Sequence, residues 1–215
     1  MAITLKEIYE KVTTQSWSIF DSDISYLEDD DAGVISTIQK ALNELWNDYK
    51  YSFKLKNKIV TLQAETNNIS KPTGHIKSLY LIDENGEETL IKCSGKTQET
   101  KNLGTPTEYF IKYNKIFFRP TPIETVQIKI DYYNRYPVLS EDGNPQFNFI
   151  NLADYLDIRE EYEELFVNAL ITRTMAIYPH PNQLINATYR EQSQHAYKLL
   201  IDACNVNANG KQRTW

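Results

Sequence analysis

The chain has 215 residues, of which 41% are hydrophobic and 24% are charged, and its formal net charge is −6 at pH 7. This length and composition are typical of one globular domain, or of one core that carries an insertion. The net negative charge argues against sequence-independent binding of DNA or RNA, which requires clustered lysine and arginine. No apolar run approaches the roughly 20 residues of a membrane-spanning helix. The N-terminal segment carries charges every few residues, unlike a secretory signal.

Cysteine and histidine residues are too few to predict a crosslinked or metal-bound fold. Cys93 and Cys204 lie in different kinds of segment, so two free thiols in a reducing compartment are favoured over a disulfide. His75, His180 and His195 show no spacing typical of zinc ligands, and we expect them to be structural or surface side chains. The sequence therefore predicts no metal and no cofactor.

The first 50 residues predict two helices. Apolar residues recur at helical spacing in residues 3–12 and again in residues 33–49. Thr4 and Glu7 match a capping box at the start of the first helix. The acidic run at residues 28–31 favours the N-terminal end of the second helix through the helix dipole, and it lacks the regular ligand alternation of a calcium loop.

Residues 51–135 predict β structure, because the period of the apolar residues changes there from 3.6 to 2. We expect three hairpins, which turn at Asn57-Lys58, at the Asp83-Glu84-Asn85-Gly86 run and at Pro120-Thr121-Pro122. Residues 65–74 and 94–107 are expected to be loops. The predicted strands, six or seven short ones, cover residues 51–56, 59–62, 76–82, 88–93, 109–113, 115–119 and 125–133.

The C-terminal third predicts an irregular segment and two more helices. Residues 137–157 are rich in proline and glycine signals, with Phe147 and Phe149 expected as apolar anchors. A helix that begins near residue 158 ends at Tyr178-Pro179-His180-Pro181, and a last helix covers residues 183–204.

These elements predict an α+β fold, with a four-helix core and an inserted antiparallel β region. The core is built from two N-terminal and two C-terminal helices, in residues 1–50 and 136–204. The insertion covers residues 51–135, and residues 205–215 form an extended C-terminal tail.

No catalytic motif is present. The sequence has no GxGxxG, Walker lysine loop, GxSxG or HExxH pattern. Paired carboxylates occur at Asp154/Asp157 and at Glu160/Glu161/Glu163/Glu164, and the second group is interpreted as solvated or cap-stabilising side chains at a helix start. The doublets Phe117-Phe118 and Tyr132-Tyr133 alternate between the two faces of a strand, so they cannot form one base-stacking platform. We therefore expect a protein that is not an enzyme.

The order of the predicted helices and strands along the chain resembles that of a known protein family. A helix that ends in ALNELWNDY is followed by hairpins, a strand, RPTP, a second strand that ends in IDYYNRYPVL, and the irregular LADYLDI. Two helices follow, EEYEELFVNALITRTMAIY and one that begins near ATYREQSQHAYKLL. This order resembles the head–tail adaptor proteins of tailed bacteriophages, also called connector, head-completion or ring proteins, and the podovirus-type members most closely. It covers most of residues 34–204, and its sharpest part is 116–139 with the helix after 158.

The resemblance implies a structural virion protein that forms a ring, commonly of twelve copies, between the portal and the tail. Such a protein is made in the bacterial host cytoplasm and resides at the head–tail junction or in the tail. Its implied partners are further copies of itself, the portal protein and downstream tail or ring proteins, with no membrane involved. DNA would pass through the channel without specific binding, which suits the acidic balance.

The resemblance also implies contact residues. The C-terminal segment of such adaptors often docks on the portal, which here points to Lys211, Arg213 and Trp215, although the segment could equally be a frayed end. The β region would contact neighbouring subunits through Phe117, Phe118, Tyr132 and Tyr133. The β insertion at 51–113 is fuller than in better-known members, so the surface of the ring that it faces stays open.

Two other readings of the sequence remain. The first is another phage tail component, such as a stopper or fibre connector. The second, from a different class, is a carbohydrate- or nucleic-acid-binding module that uses the aromatic β region.

Overall fold

The structure is a computed structural model that describes residues 3–18, 31–48, 51–95, 97, 102–178 and 183–209. The chain divides into two compact units. The first, here the helical unit, comprises Met1–Phe53 and Tyr136–Trp215, and the second, here the sheet unit, comprises Lys54–Arg135.

Four α-helices lie in the described part of the helical unit, and each overlaps a predicted one. They are α1 Leu5–Ser18, α2 Asp31–Asp48, α3 Glu160–Ile177 and α4 Gln183–Asn209. Helix α3 packs against the other three. Helix α4 continues five residues past the predicted end at 204, into the segment that we expected to be extended; residues 210–215 lie outside the described residues.

The helical unit has one apolar core to which all four helices contribute. The predicted stripe of α2, with Val34, Ile38 and Leu42, is fully buried. Aromatic side chains fill the centre, where the Phe166 ring meets those of Phe53 and Trp46 edge to face at centroid distances of 5.6 and 6.0 Å. Such pairs add roughly 0.5–1.5 kcal/mol each beyond the area they bury.

The capping box at the start of α1 is confirmed. The Thr4 backbone N–H donates to Glu7 Oε2 at 2.8 Å, and the Glu7 N–H donates to Thr4 Oγ1 at 3.3 Å. Two backbone donors that the helix leaves unpaired are thereby satisfied. These hydrogen bonds, the backbone one first, hold the pKa of the Glu7 carboxyl below its usual value.

A small sheet occupies the segment 137–157, which we predicted to be irregular. Its strands are β8 Val138–Leu139, β9 Pro145–Gln146 and β10 Tyr155–Leu156, in the order β10-β8-β9. Strands of two residues carry no periodicity, so the sequence pattern could not reveal them.

The sheet unit is one seven-stranded sheet in the order β1-β7-β3-β4-β5-β6-β2. All neighbouring strands are antiparallel except β4 and β5, which are parallel. The strands are β1 Leu55–Leu62, β2 Asn68–Ser70, β3 Gly74–Ile82, β4 Glu88–Cys93, β5 Glu108–Lys112, β6 Lys115–Arg119 and β7 Val126–Asn134.

The predicted fold class is therefore wrong. The protein is α+β, but a nearly closed, mixed seven-stranded sheet dominates it, in place of a four-helix core with a small antiparallel insertion. Mixed pairing arises because the connection 94–107 returns the chain to the same end of the sheet before β5 begins. The alternation of apolar residues shows which face a strand buries, and it does not show the direction of the neighbouring strand.

The sheet curls because its two edge strands follow each other in the chain. Only five residues separate the end of β1 at Leu62 from the start of β2 at Asn68. The loop between them reaches the connection after β6, where the Glu65 N–H donates to the Pro122 carbonyl at 2.8 Å. At the other end of β1, Leu55 is the direct antiparallel partner of Tyr133 in β7.

Two of the three predicted hairpins are wrong. Asn57-Lys58 lies in the middle of β1, which pairs with β7 along its whole length. Strand β6 pairs with β5 and β2, whereas β7 pairs with β1 and β3, so the strands that flank Pro120-Thr121-Pro122 are not neighbours. Strand β2 also lies within the loop predicted at 65–74. In each case the sequence pattern favoured a local partner over a distant one.

The third hairpin, β3–β4, is confirmed. Its turn is closed by Asp83, whose Oδ1 accepts hydrogen bonds from the Asn85 and Glu87 N–H groups at 2.9 and 2.7 Å. Gly86 adopts φ +82°, the left-handed conformation that Asn-Gly sequences favour.

One face of the sheet forms the core of the sheet unit. Its fully buried members come from β1, β3, β6 and β7: Leu62, Leu79, Ile116, Ile128 and Ile130. Burying a side chain of this kind is worth roughly 1.5–3 kcal/mol. Period-2 alternation therefore indicated the buried face correctly, although it did not indicate the order of the strands.

Candidate interaction surface

The structure places both phenylalanines of β6 inside the sheet unit. Phe118 is 1% exposed and belongs to its core. Phe117 lies on the opposite face, where it is also buried and stacks on Phe110 with ring centroids 5.1 Å apart. The Arg119 guanidinium lies 5.0 Å from the centre of the Phe110 ring. Within the described chain these two predicted contact residues serve the packing of the sheet.

The tyrosines of β7 are more accessible. Tyr132 is partly buried against the core of the sheet unit. Tyr133, also half-buried, lies between Leu55 and His75 in the strand register. The two doublets thus divide between opposite faces of the sheet, as their alternation predicted.

The other predicted contact residues cannot be compared with the structure. Lys211, Arg213 and Trp215 lie outside the described residues, as does His180. His75 and His195 are exposed.

Buried titratable groups in the helical unit belong to its packing. Cys204 is a buried free thiol whose pKa is raised by burial, whereas Cys93, in the sheet unit, is free and exposed. Burial also raises the pKa of Tyr51, with the neighbouring Tyr197 as the next cause. Among the residues that the structure describes, no group of three or more His, Cys, Asp or Glu side chains is placed to hold a metal ion. In the same residues, no helix has both the length and the apolarity to cross a membrane.

Among the described residues of the helical unit, the most exposed apolar cluster is the loop between β9 and β10, here the apolar loop, residues 147–152. Ile150 is 73% exposed, Leu152 51% and Phe147 46%. The segment reads FNFINL and carries no charged residue. Single exposed apolar side chains are ordinary, but three within six residues form a patch of the kind that marks interaction sites.

Hydrogen bonds hold the apolar loop in one conformation. The Asp154 side chain is fully buried, and its Oδ2 accepts from the Ile150 N–H at 2.6 Å and from the Asn151 N–H at 2.8 Å. The Leu152 carbonyl accepts from the Lys6 N–H at 3.1 Å, which ties the loop to the start of α1. The Phe149 N–H donates to Gln39 Oε1 on α2 at 2.8 Å, and its ring packs on the core.

Sequence reasoning identified only part of this surface. We expected Phe147 and Phe149 as anchors, and Phe149 does contact the core, whereas Phe147 is 46% exposed and packs on the Tyr136 ring, with ring centroids 4.5 Å apart. Ile150 and Leu152 were missed. The available signal was an uncharged apolar run followed two residues later by an aspartate that can cap backbone N–H groups.

Comparison with known proteins does not assign the chain to a family. No protein-family model and no curated protein matches it.

Proposed function

We propose that this chain is a structural virion protein that assembles as a head–tail adaptor ring between the portal and the tail of a tailed bacteriophage. The observation that carries the proposal is the apolar loop, residues 147–152. It presents apolar side chains to solvent on a backbone that is already ordered, so docking costs little further conformational entropy. Exposed apolar patches of this kind mark interaction sites.

The occupant that we propose for the apolar loop is a different surface of a neighbouring copy. A contact between two different surfaces repeats from one subunit to the next, and it closes into a ring when the rotation per subunit divides a full turn. We propose twelve copies, the number common in the adaptors that the chain resembles.

The remaining parts fit this role. The net charge of −6 would let DNA pass along a channel without adhering to it. Lys211, Arg213 and Trp215 supply a basic and aromatic segment for docking on the portal, and Tyr132 and Tyr133, both half-buried, are the more accessible of the aromatic residues proposed for contacts through the β region.

A carbohydrate- or nucleic-acid-binding module receives less support. Such a module would need aromatic rings exposed side by side. Phe117 and Phe118 are both buried, and Tyr132 and Tyr133 lie on opposite faces of the sheet. Another tail component, such as a stopper or fibre connector, would use the same kind of contact and differ in its partner.

The proposal is tested by the double variant Ile150→Ser/Leu152→Ser. The matched control is Leu103→Ser/Ile123→Ser, which removes two side chains of similar exposure from loops of the sheet unit. Mass photometry of the purified protein, alone and with a candidate portal protein, measures assembly. The wild-type chain should form rings or bind the portal. Loss of the two partly exposed side chains should weaken each contact by about 2–3 kcal/mol, or roughly 30- to 150-fold.

Two results would oppose the proposal. A wild-type chain that stays monomeric at high concentration and ignores the portal would refute the adaptor role. Equal assembly by the double variant and its control would show that the apolar loop is not the subunit contact.

A further inference from the structure

A groove lies between the start of the chain and helix α3 in the helical unit. Its volume is about 550 Å³. Ile3, Val167 and Ile171 form its apolar part, and the last two are almost fully buried. A groove of this size and lining can accept a large side chain together with a short stretch of backbone.

The charged lining of this groove is mostly acidic. Three glutamates of α3, at 160, 163 and 164, face one lysine, Lys11 of α1. Three glutamates against one lysine leave the lining with a net negative charge. The groove is therefore suited to a segment that brings both positive charge and an apolar group.

The end of helix α4 lies close to the acidic end of α3. Ser52 makes a hydrogen bond with Cys204 of α4, and its hydroxyl also donates to the Tyr162 hydroxyl of α3 at 3.0 Å. Cys204 is thus level with the first turns of α3, and α4 continues five residues beyond it, to Asn209. The chain leaves α4 near the glutamates of the groove.

The sequence that follows Asn209 is GKQRTW, residues 210–215. It contains Lys211 and Arg213, no acidic residue, and Trp215. Six extended residues reach about 20 Å, and a helix with its side chains is about 10 Å across. The segment can therefore pass from the end of α4 to the groove on the same subunit.

We propose that the groove between α1 and α3 binds residues 210–215 of its own chain. Lys211 and Arg213 pair with Glu163 and Glu164, and the Trp215 indole packs on Val167 and Ile171. This inference goes beyond the adaptor role and does not depend on it. If a partner also uses the same three side chains, it must first displace the segment from the groove.

The first test maps the contact in the wild-type chain. A carbodiimide joins lysine amines to neighbouring carboxylates, and peptide mass mapping locates the new amide bonds. An equal mixture of ¹⁴N- and ¹⁵N-labelled protein separates bonds within a chain from bonds between chains. We expect Lys211 to be joined to Glu163 or Glu164 within single chains. Bonds to Glu161 at equal yield, or bonds between labelled and unlabelled chains, would overturn the proposal.

The second test follows Trp215 itself. With 5-fluorotryptophan incorporated, the ¹⁹F resonance of Trp215 is identified by its loss in Trp215→Phe. In Glu163→Gln/Glu164→Gln it should shift toward that of free fluorotryptophan, because the population of the docked segment falls roughly three- to tenfold when two exposed ion pairs are lost.

The control for that shift is Glu161→Gln, which removes one carboxylate from the same helix turn, where Glu161 instead pairs with Arg159 at 3.3 Å. It should leave the Trp215 resonance in place. A wild-type Trp215 resonance already at the free position, or equal shifts in both variants, would refute docking in the groove.

Discussion

Asp154 is the residue whose removal should most directly release the apolar loop. Its carboxylate accepts two short hydrogen bonds, from the Ile150 and Asn151 N–H groups at 2.6 and 2.8 Å. Hydrogen bonds to charged groups contribute roughly 1.5–3 kcal/mol each. The lower end applies here, because the loop amides can reach water once the loop opens. Asp154→Ala should therefore destabilise the closed loop by about 3 kcal/mol.

Hydrogen exchange measures this release directly. Exchange of the Ile150 and Asn151 amides should accelerate roughly 100-fold in Asp154→Ala, since about 1.4 kcal/mol corresponds to a factor of ten. In Asp154→Asn the exchange rates should lie between those of the wild type and those of Asp154→Ala, because a neutral amide oxygen can still accept the two hydrogen bonds. Its amide nitrogen would take the place of Asp154 Oδ1, which is enclosed and has no hydrogen-bond partner among the described residues.

The control is Asp202→Ala, which removes an exposed carboxylate from α4. It should leave exchange in the apolar loop unchanged. If exchange of Ile150 and Asn151 in Asp154→Ala matches that of the wild type, the aspartate does not hold the loop, and the ordered presentation on which the adaptor proposal rests is refuted.

Three further predictions concern stability. Thr4→Ala should lower the free energy of unfolding of the helical unit by about 1 kcal/mol in urea titrations. The folded pKa of Glu7 lies below its ordinary value of 4.5, so its contribution is complete above that pH and is lost as the pH falls through the folded pKa; an unchanged acid-unfolding profile in Glu7→Gln would contradict this. Phe118→Ala should destabilise the sheet unit by about 3–5 kcal/mol, whereas Tyr113→Ala, at an 84% exposed side chain, should stay within about 0.5 kcal/mol. Equal losses in the two variants would contradict the burial of Phe118.

The helices could be predicted because their signal is local. Val34, Ile38 and Leu42 recur at the spacing of one helical face, and the same residues form the core. The Thr4–Glu7 capping box likewise needs only three residues of separation. Each of these features depends on neighbours within one or two turns, so one sequence suffices to find it.

The order of the strands could not be predicted because their partners are distant in the chain. Strand β1 pairs with β7, so that Leu55 lies opposite Tyr133, 78 residues later. Alternation assigns a face to each residue and says nothing about which strand lies beside it. Asn57-Lys58 looked like a turn because two polar residues interrupt the apolar run, yet they lie on the exposed part of an edge strand.

Only part of the candidate surface could be predicted, because the exposure of its residues depends on contacts that the sequence pattern does not show. The resemblance implied that Phe117 and Phe118 contact a neighbouring subunit. Here Phe110 and Arg119 cover the second face locally, so that both rings are buried. Exposure of Ile150 and Leu152 depends on the backbone conformation that Asp154 imposes, and apolar periodicity carries no information about it.

The direct pairing of Leu55 with Tyr133 bears on how chains of this architecture can diverge. Antiparallel partners lie about 5 Å apart, so the polypeptide enters and leaves the sheet unit at nearly the same point. A coding segment for residues 54–135 can therefore be gained or lost as a single block, leaving a gap in the chain that one or two residues can span. Differences in length among such chains are then expected near Phe53 and Tyr136, with the helices unchanged.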